Sequence, residues 1–268
     1  MTLSVVVPNY NKEEYIGRCL DSIIKQTRLP EEIVIVDDCS TDNSREIIKA
    51  FCNKYPFVKA IFLKKNAGVS NARNVGIKNS TSDYITMLDS DDIYYNEDKL
   101  KNEMSIIEKG CGHTVAYSCT VKIDTQDEIV RDILPSYRYC CGDVTGPLFA
   151  DYIGFSTIPR DFCVYRKTAL SVGCYDTDLR LYEDMDFTAR LVLSGCIFEC
   201  TNKSGTGYRI VGNGLSNQKY KTLVMSRKKI LKKYYARLTF QKKVVVFGWK
   251  VKGMITKVCH KIFAKGMQ

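Results

Sequence analysis

Histidine is scarce in this 268-residue chain, with only His113 and His260. So few imidazoles argue against a Ser-His-Asp hydrolase, and no Gly-x-Ser-x-Gly turn is present to hold its nucleophile. No Gly-x-Gly-x-x-Gly and no Gly-x-x-x-x-Gly-Lys-Ser/Thr occurs, which removes support for dinucleotide and P-loop chemistry. The 12 cysteines contain no Cys-x-x-Cys pair. Cys19, Cys52, Cys119 and Cys163 stand among apolar neighbours, as small buried residues do in a reducing cytosol, and Cys140-Cys141 and Cys196/Cys200 lack the nearby His of a metal site. No apolar run is long enough for a transmembrane helix, and the first residues lack the basic start of a signal peptide. A cytoplasmic protein is therefore expected, peripheral to the membrane at most. Acid is missing from one end. Residues 202–268 hold 17 Lys and Arg and no carboxylate, whereas residues 1–201 hold 23 cations against 30 acids. The net charge of +10 thus joins an acidic body to a basic tail.

What is present begins with short β-branched runs. Leu3–Val7, Ile33–Val36, Val58–Leu63 and Tyr84–Leu88 read as strands buried on both faces. Between the first two, Ile16, Leu20, Ile23 and Ile24 form one face of a helix, for which Asn11 is the expected N-cap. Ile47, Ile48, Phe51 and Tyr55 mark a second helix, capped by Ser40 or Asp42. A third carries Ala72 and Gly76 on its small side. This alternation predicts an α/β fold with a mostly parallel sheet flanked by helices. Ligands of such sheets bind outside the carboxyl ends of the strands. Three of these ends are polar: Pro8-Asn9-Tyr10, Asp37-Asp38 and Asp89-Ser90-Asp91-Asp92. Three carboxylates in four residues repel one another unless a cation or hydrogen-bond donors hold them, and Mg²⁺ or Mn²⁺ suits such hard oxygens. A polar turn is the alternative for that stretch alone; convergence of three such ends on one crevice favours the cation.

Five blocks then carry a resemblance. They are Ser4-Val5-Val6-Val7-Pro8-Asn9-Tyr10-Asn11, Val36-Asp37-Asp38-Cys39-Ser40-Thr41-Asp42, Asn66-Ala67-Gly68-Val69-Ser70-Asn71-Ala72-Arg73-Asn74, Leu88-Asp89-Ser90-Asp91-Asp92 and Glu183-Asp184-Met185-Asp186-Phe187. In this order and spacing the chain resembles the family 2 glycosyltransferases of GT-A (Rossmann-like) fold, over roughly residues 2–216. The resemblance implies transfer of a sugar from a UDP-sugar donor, with inversion, to a hydroxyl of a glycan or lipid-linked saccharide. Synthesis of a bacterial surface polysaccharide would be the setting.

The resemblance also implies roles. Asp91 ligates Mn²⁺ or Mg²⁺, and Asp89 completes the metal shell or holds the ribose. Asp38 accepts the N3–H of uracil or thymine. Tyr10 lies on or beside that base, and Pro8 shapes the pocket. Arg73 faces the diphosphate or braces the Asp cluster. Asp184 is the catalytic base and Glu183 orients the acceptor, both at the start of a helix, where unpaired N–H groups favour ionised carboxylates. Asp92 reads as a solvated flank or helix cap. One departure stands out: Val211 occupies the place of a family His that helps to hold metal or diphosphate, so either Arg209 or Ser216 substitutes or a donor loop elsewhere closes the site.

The expected organisation is a catalytic domain over 1–216, with a nucleotide-binding half (1–95) and an acceptor-side half (96–216), then a basic helical tail over 217–268. Within 96–216, the Gly142–Arg160 stretch reads as an acceptor loop. In the tail Leu223, Ile230, Leu231, Tyr234 and Leu238 alternate with cations, and Val244–Trp249, Ile255, Val258, Ile262 and Phe263 continue the mixture. Such a segment either lies on an anionic membrane surface or docks on the domain with its basic face in water. No nucleic-acid module is recognisable, so no nucleic-acid partner is expected. The rivals are a sugar nucleotidyltransferase, which lacks its Gly-rich phosphate loop here, and a silent nucleotide-sugar-binding subunit.

Overall fold

The computed structural model describes residues 1–110, 112–132, 141–150, 158–210 and 220–251. The β-branched runs form β1 (Leu3–Asn9), β2 (Glu32–Asp37), β3 (Val58–Phe62) and β4 (Tyr84–Met87). They pair in parallel in the order β3-β2-β1-β4, and β8 (Val164–Tyr165) adds antiparallel to β4. The crossovers are α1 (Ile16–Ile24), α2 (Ser44–Lys54) and α3 (Val69–Asn79). Helix α3 comes close to β1 because Gly76 has no side chain: a Cβ there would sit 2.2 Å from Val6 Cγ1.

Helix α1 begins at Ile16, later than expected. Asn11 adopts φ 50 and its Oδ1 accepts the Thr41 amide at 2.8 Å, so it tethers the loop after β2 instead of capping α1. Glu13 and Asp42 exchange a reciprocal pair of backbone contacts: Asp42 accepts Glu13 N–H at 2.9 Å and Glu13 accepts Asn43 N–H at 2.8 Å. Asp42 also accepts Ser44 N–H at 3.0 Å, while Ser40 takes Asn9 and the Asn11 amide. The loops leaving β1 and β2 are thereby joined into one rim.

A second sheet, in the order β5-β9-β6-β7, comprises β5 (Ile93–Tyr94), β6 (Thr114–Ile123), β7 (Ile129–Asp132) and β9 (Ile197–Arg209). It joins the first through a bridge between Ala116 and Cys163. Helices α4 (Lys99–Lys109), α5 (Thr145–Ala150), α6 (Arg166–Ser171) and α7 (Glu183–Leu193) complete the body. Apolar side chains of β1 and β2 point alternately into two cores, Val6, Val34 and Val36 into one and Val5, Val7, Ile33 and Ile35 into the other. The cysteines among the described residues are free; Cys19, Cys119 and Cys163 are buried as expected, whereas Cys52 is only partly buried.

Helix α8 (Tyr220–Tyr235) opens the basic tail. Its Ile230, Leu231 and Tyr234, with Leu238 beyond it, are buried in the same core as Phe187 and Leu191 of α7. Tyr234 Oη donates to the buried Asp186 at 2.6 Å, and Lys233 Nζ lies 3.5 Å from the same carboxylate. This part of the tail is docked. Ile255, Val258, Ile262 and Phe263 lie outside the described residues.

Candidate active site

Parallel pairing places the carboxyl ends of β2, β1 and β4 side by side. Pro8 is buried within the end of β1 and Tyr10, just beyond it, is exposed. Asp38 is buried at the end of β2, where its two oxygens accept Ala67 N–H at 2.9 Å and Gly68 N–H at 2.7 Å. It thus holds the loop that opens α3, keeping further lone pairs for another donor. Gly68, at φ 88, supplies the left-handed turn that this loop requires.

The loop after β4 carries the charge. Among the described residues, Asp89, Asp91 and Asp92 each offer a carboxylate oxygen, all within 4.8 Å of one another. Arg73 of α3 lies beneath them, 2% exposed. Its Nη2 meets both Asp89 oxygens, at 2.7 and 3.0 Å, its Nη1 meets Glu183 at 2.8 Å, and the guanidinium lies 5.1 Å from the Tyr175 ring centre. Of the two expected places for Arg73, this is the brace: it ties the Asp loop to the start of α7. Glu183 is therefore engaged by Arg73.

Two cations that the sequence reading missed complete the cluster. Arg160 bridges Asp89 (3.0 Å) and Asp92 (2.7 Å) and lies over the Tyr208 ring at 4.9 Å. Lys12 Nζ meets Asp91 at 2.7 Å. Burial works to raise the Asp89 carboxyl, but Arg160 and Arg73 override it and hold the group at about 2. Burial also pushes Asp92 up, with Asp91 and Asp89 adding to it against the pull of Arg160. Glu183 is raised by burial and by neighbouring Asp184, with Arg73 opposing.

Two expectations need correction. Asp92 is no solvated flank: it is 3% exposed and accepts Arg209 N–H at 2.8 Å as well as Arg160. Arg209 is buried beneath the loop, its guanidinium engaged by the carbonyls of Asp91 and Asp124, both at 2.7 Å, and by Asp127. Its three guanidinium nitrogens are thus taken up within the protein and not turned to an open diphosphate position. Ser216 and Val211 lie outside the described residues, as do residues 151–157 of the expected acceptor loop.

A cleft of about 240 Å³ opens over this cluster, lined by Asp89, Asp92, Arg160, Asp184, Thr206 and Tyr208 among others. Asp184 reaches it from the first turn of α7, where Tyr182 precedes the helix in a left-handed conformation (φ 61). Two predicted carboxylates, Asp89 and Asp184, therefore share one cleft. Pro8, Tyr10 and Asp38 stand on the adjoining strand ends, outside its lining.

The hard oxygen donors fit a divalent cation. Asp89 is committed to two arginines and Asp92 to Arg160 and a backbone amide, whereas the Asp91 side chain, 21% exposed, pairs among the described residues with the partly exposed Lys12. The Lys12 ammonium gives Asp91 the kind of neutralisation that a divalent cation held by these carboxylates would supply.

Comparison with known proteins follows the same outline. The chain matches the family described as "Glycosyl transferase family 2" over residues 4–173. It is 27% identical over 221 residues to the Bacillus subtilis (strain 168) glycosyltransferase TuaG, assigned by name to teichuronic acid biosynthesis, covering 82% of this chain and 83% of that one. It is 45% identical over 91 residues to the glycosyltransferase GlyG of Streptococcus pneumoniae serotype 4, which covers 34% of this chain and 30% of that protein. Among solved structures it resembles S. aureus TarS 1–349 in complex with UDP-GlcNAc, with a TM-score of 0.74 and 21% identity over 93% of this chain and 71% of that one. That likeness is one of fold.

Proposed function

The chain belongs to glycosyl transferase family 2, and on that premise we propose that it is an inverting, metal-dependent transferase moving a sugar from a UDP-sugar to a glycan or lipid-linked saccharide of the bacterial cell surface. The observation that carries the reading is the shared cleft of Asp89 and Asp184 at the Asp89–Asp92 loop. The setting draws support from the name of TuaG, and the donor class from the UDP-GlcNAc bound to TarS.

In this proposal residues 1–95 bind the nucleotide and 96–216 form the acceptor side. Asp38 accepts the uracil N3–H, with Tyr10 beside the base and Pro8 setting the pocket wall. Asp91, with Asp89, holds Mg²⁺ or Mn²⁺. When bound, such a cation neutralises charge developing on the leaving diphosphate. Arg160, at the cleft wall and partly exposed, is the side chain placed to add to that neutralisation. Asp184 takes the proton of the acceptor hydroxyl as its oxygen attacks the anomeric carbon and the bond to the diphosphate breaks. Arg73 positions both ends of the cleft at once, through Asp89 and Glu183.

The test is UDP release from a panel of UDP-sugars, with Mn²⁺ or with chelator, by wild type and Asp91→Ala. Metal-dependent release from one sugar, lost in the variant, supports the proposal. Release undiminished by chelator and by Asp91→Ala would overturn the metal assignment.

A further inference from the structure

Beyond α8 the tail turns and forms a second helix over residues 240–251. This helix is apolar on two sides. Its inner side is seated on the domain: Val246 is fully buried, Lys242 lies 3.8 Å from Asp143, and the Trp249 ring lies so close to Gly146 that a Cβ there would be 2.2 Å from it. Its outer side carries Phe240, Val244, Phe247 and Val251 at i, i+4, i+7 and i+11, one continuous stripe at helical spacing. These four are 82%, 53%, 66% and 38% exposed. Two phenylalanines in a single exposed stripe are not explained by packing within the domain.

The charge around the stripe selects what covers it. Lys243 and Lys250 flank it, each with its ammonium near the Tyr235 ring, at 6.0 and 5.0 Å. In α8, Lys228, Lys229 and Lys232 are exposed, and no residue from 202 onward is acidic. A second copy would bring two basic tails, neither with an acidic residue of its own, face to face, at an electrostatic cost. An anionic bilayer accepts both features, the aromatics among the acyl chains and the lysines among the headgroups. We infer that the 240–251 helix seats this protein on an anionic lipid surface through Phe240, Val244, Phe247 and Val251. Helix α8 serves as the bracket that fixes this helix to the catalytic body, so the cleft keeps one orientation to the surface. Docking and membrane contact, alternatives at the level of sequence, fall to successive helices.

Sedimentation of the full chain with vesicles tests this, comparing phosphatidylglycerol–phosphatidylcholine mixtures with phosphatidylcholine alone. Wild type is expected to partition onto the anionic vesicles, less so as salt rises, and at least ten-fold more weakly onto neutral ones. Phe240→Ser/Phe247→Ser is expected to lose binding ten-fold or more with its thermal unfolding unchanged, because both side chains are exposed. Failure of wild type to bind anionic vesicles overturns the inference, as does retention of binding by the double variant. Self-association without vesicle binding, lost in the same variant, assigns the stripe to a second copy and also overturns it. None of these readouts depends on turnover, so they stand apart from the transferase assignment.

Discussion

Replacing Arg73 by Met removes one buried guanidinium, which takes its Arg73 partner from Glu183 and one of two arginines from Asp89. The consequences follow from the contacts. Asp89, 15% exposed, is held at about 2 against an ordinary 3.8, a depression worth about 2 kcal/mol at neutral pH and shared by Arg160 and Arg73. Glu183, 14% exposed, loses the cation that opposes its burial. Breaking a buried pair by removing one partner typically costs about 3–5 kcal/mol. At roughly 2–4 °C per kcal/mol for a domain of this size, Arg73→Met should lower Tm by about 6–20 °C in a calorimetric or circular-dichroism melt at pH 7. Because the Asp89 carboxyl is depressed in the folded state, its share is present above about pH 4 and fades as pH falls towards 2. Arg73→Met/Glu183→Gln should recover part of the loss, since only Asp89 is then left without Arg73. A single variant melting within 2 °C of wild type would refute the bracing role.

Asp184→Asn should reduce turnover by about 10²–10⁴-fold while UDP affinity is kept, measured by UDP release and by titration. Tyr234→Phe removes the hydrogen bond to buried Asp186 and should destabilise by about 1–3 kcal/mol in chemical denaturation; no change would mean that α8 is not docked in solution. Gly76→Ala drives a methyl group against Val6 and should cost about 1–3 kcal/mol, partly restored when Val6→Ala is added. In Glu32, burial is outweighed by hydrogen bonds from Ser4, Thr81 and Lys59, which hold the carboxyl at about 2. Glu32→Gln should therefore cost about 3 kcal/mol at pH 7, a difference that shrinks as pH falls from about 4.5 to 2 in denaturation curves.

The first half of the fold was legible because its strands are short, buried on both faces and separated by amphipathic helices. That pattern places Asp38 and Asp89–Asp92 at the carboxyl ends of strands in one parallel sheet without any knowledge of contacts. Helix starts were less legible: Asn11 looks like a cap, but its amide oxygen is drawn across to Thr41 by the pairing of two loops. Strand β9 was hidden by its polar centre, Thr201-Asn202-Lys203-Ser204-Gly205, where Gly205 and Gly207 admit close neighbours instead of showing apolar alternation. Lys12 and Arg160 were missed for another reason. Each meets its carboxylate only after folding, across 79 and about 70 residues of chain, and neither stands in a motif. Asp92 and Arg209 show the same limit, since their burial follows from β9 running beside the loop. A run of three aspartates says that cations must come; which cations come is decided by tertiary structure.

Calorimetric titration of UDP into the full chain, with Mn²⁺, with chelator, and in Asp91→Ala, goes most directly to the proposed chemistry. Binding in the presence of Mn²⁺, weakened ten-fold or more by chelator and by the substitution, is the predicted result. No detectable UDP binding by the folded wild-type protein with Mn²⁺ or Mg²⁺ would contradict it.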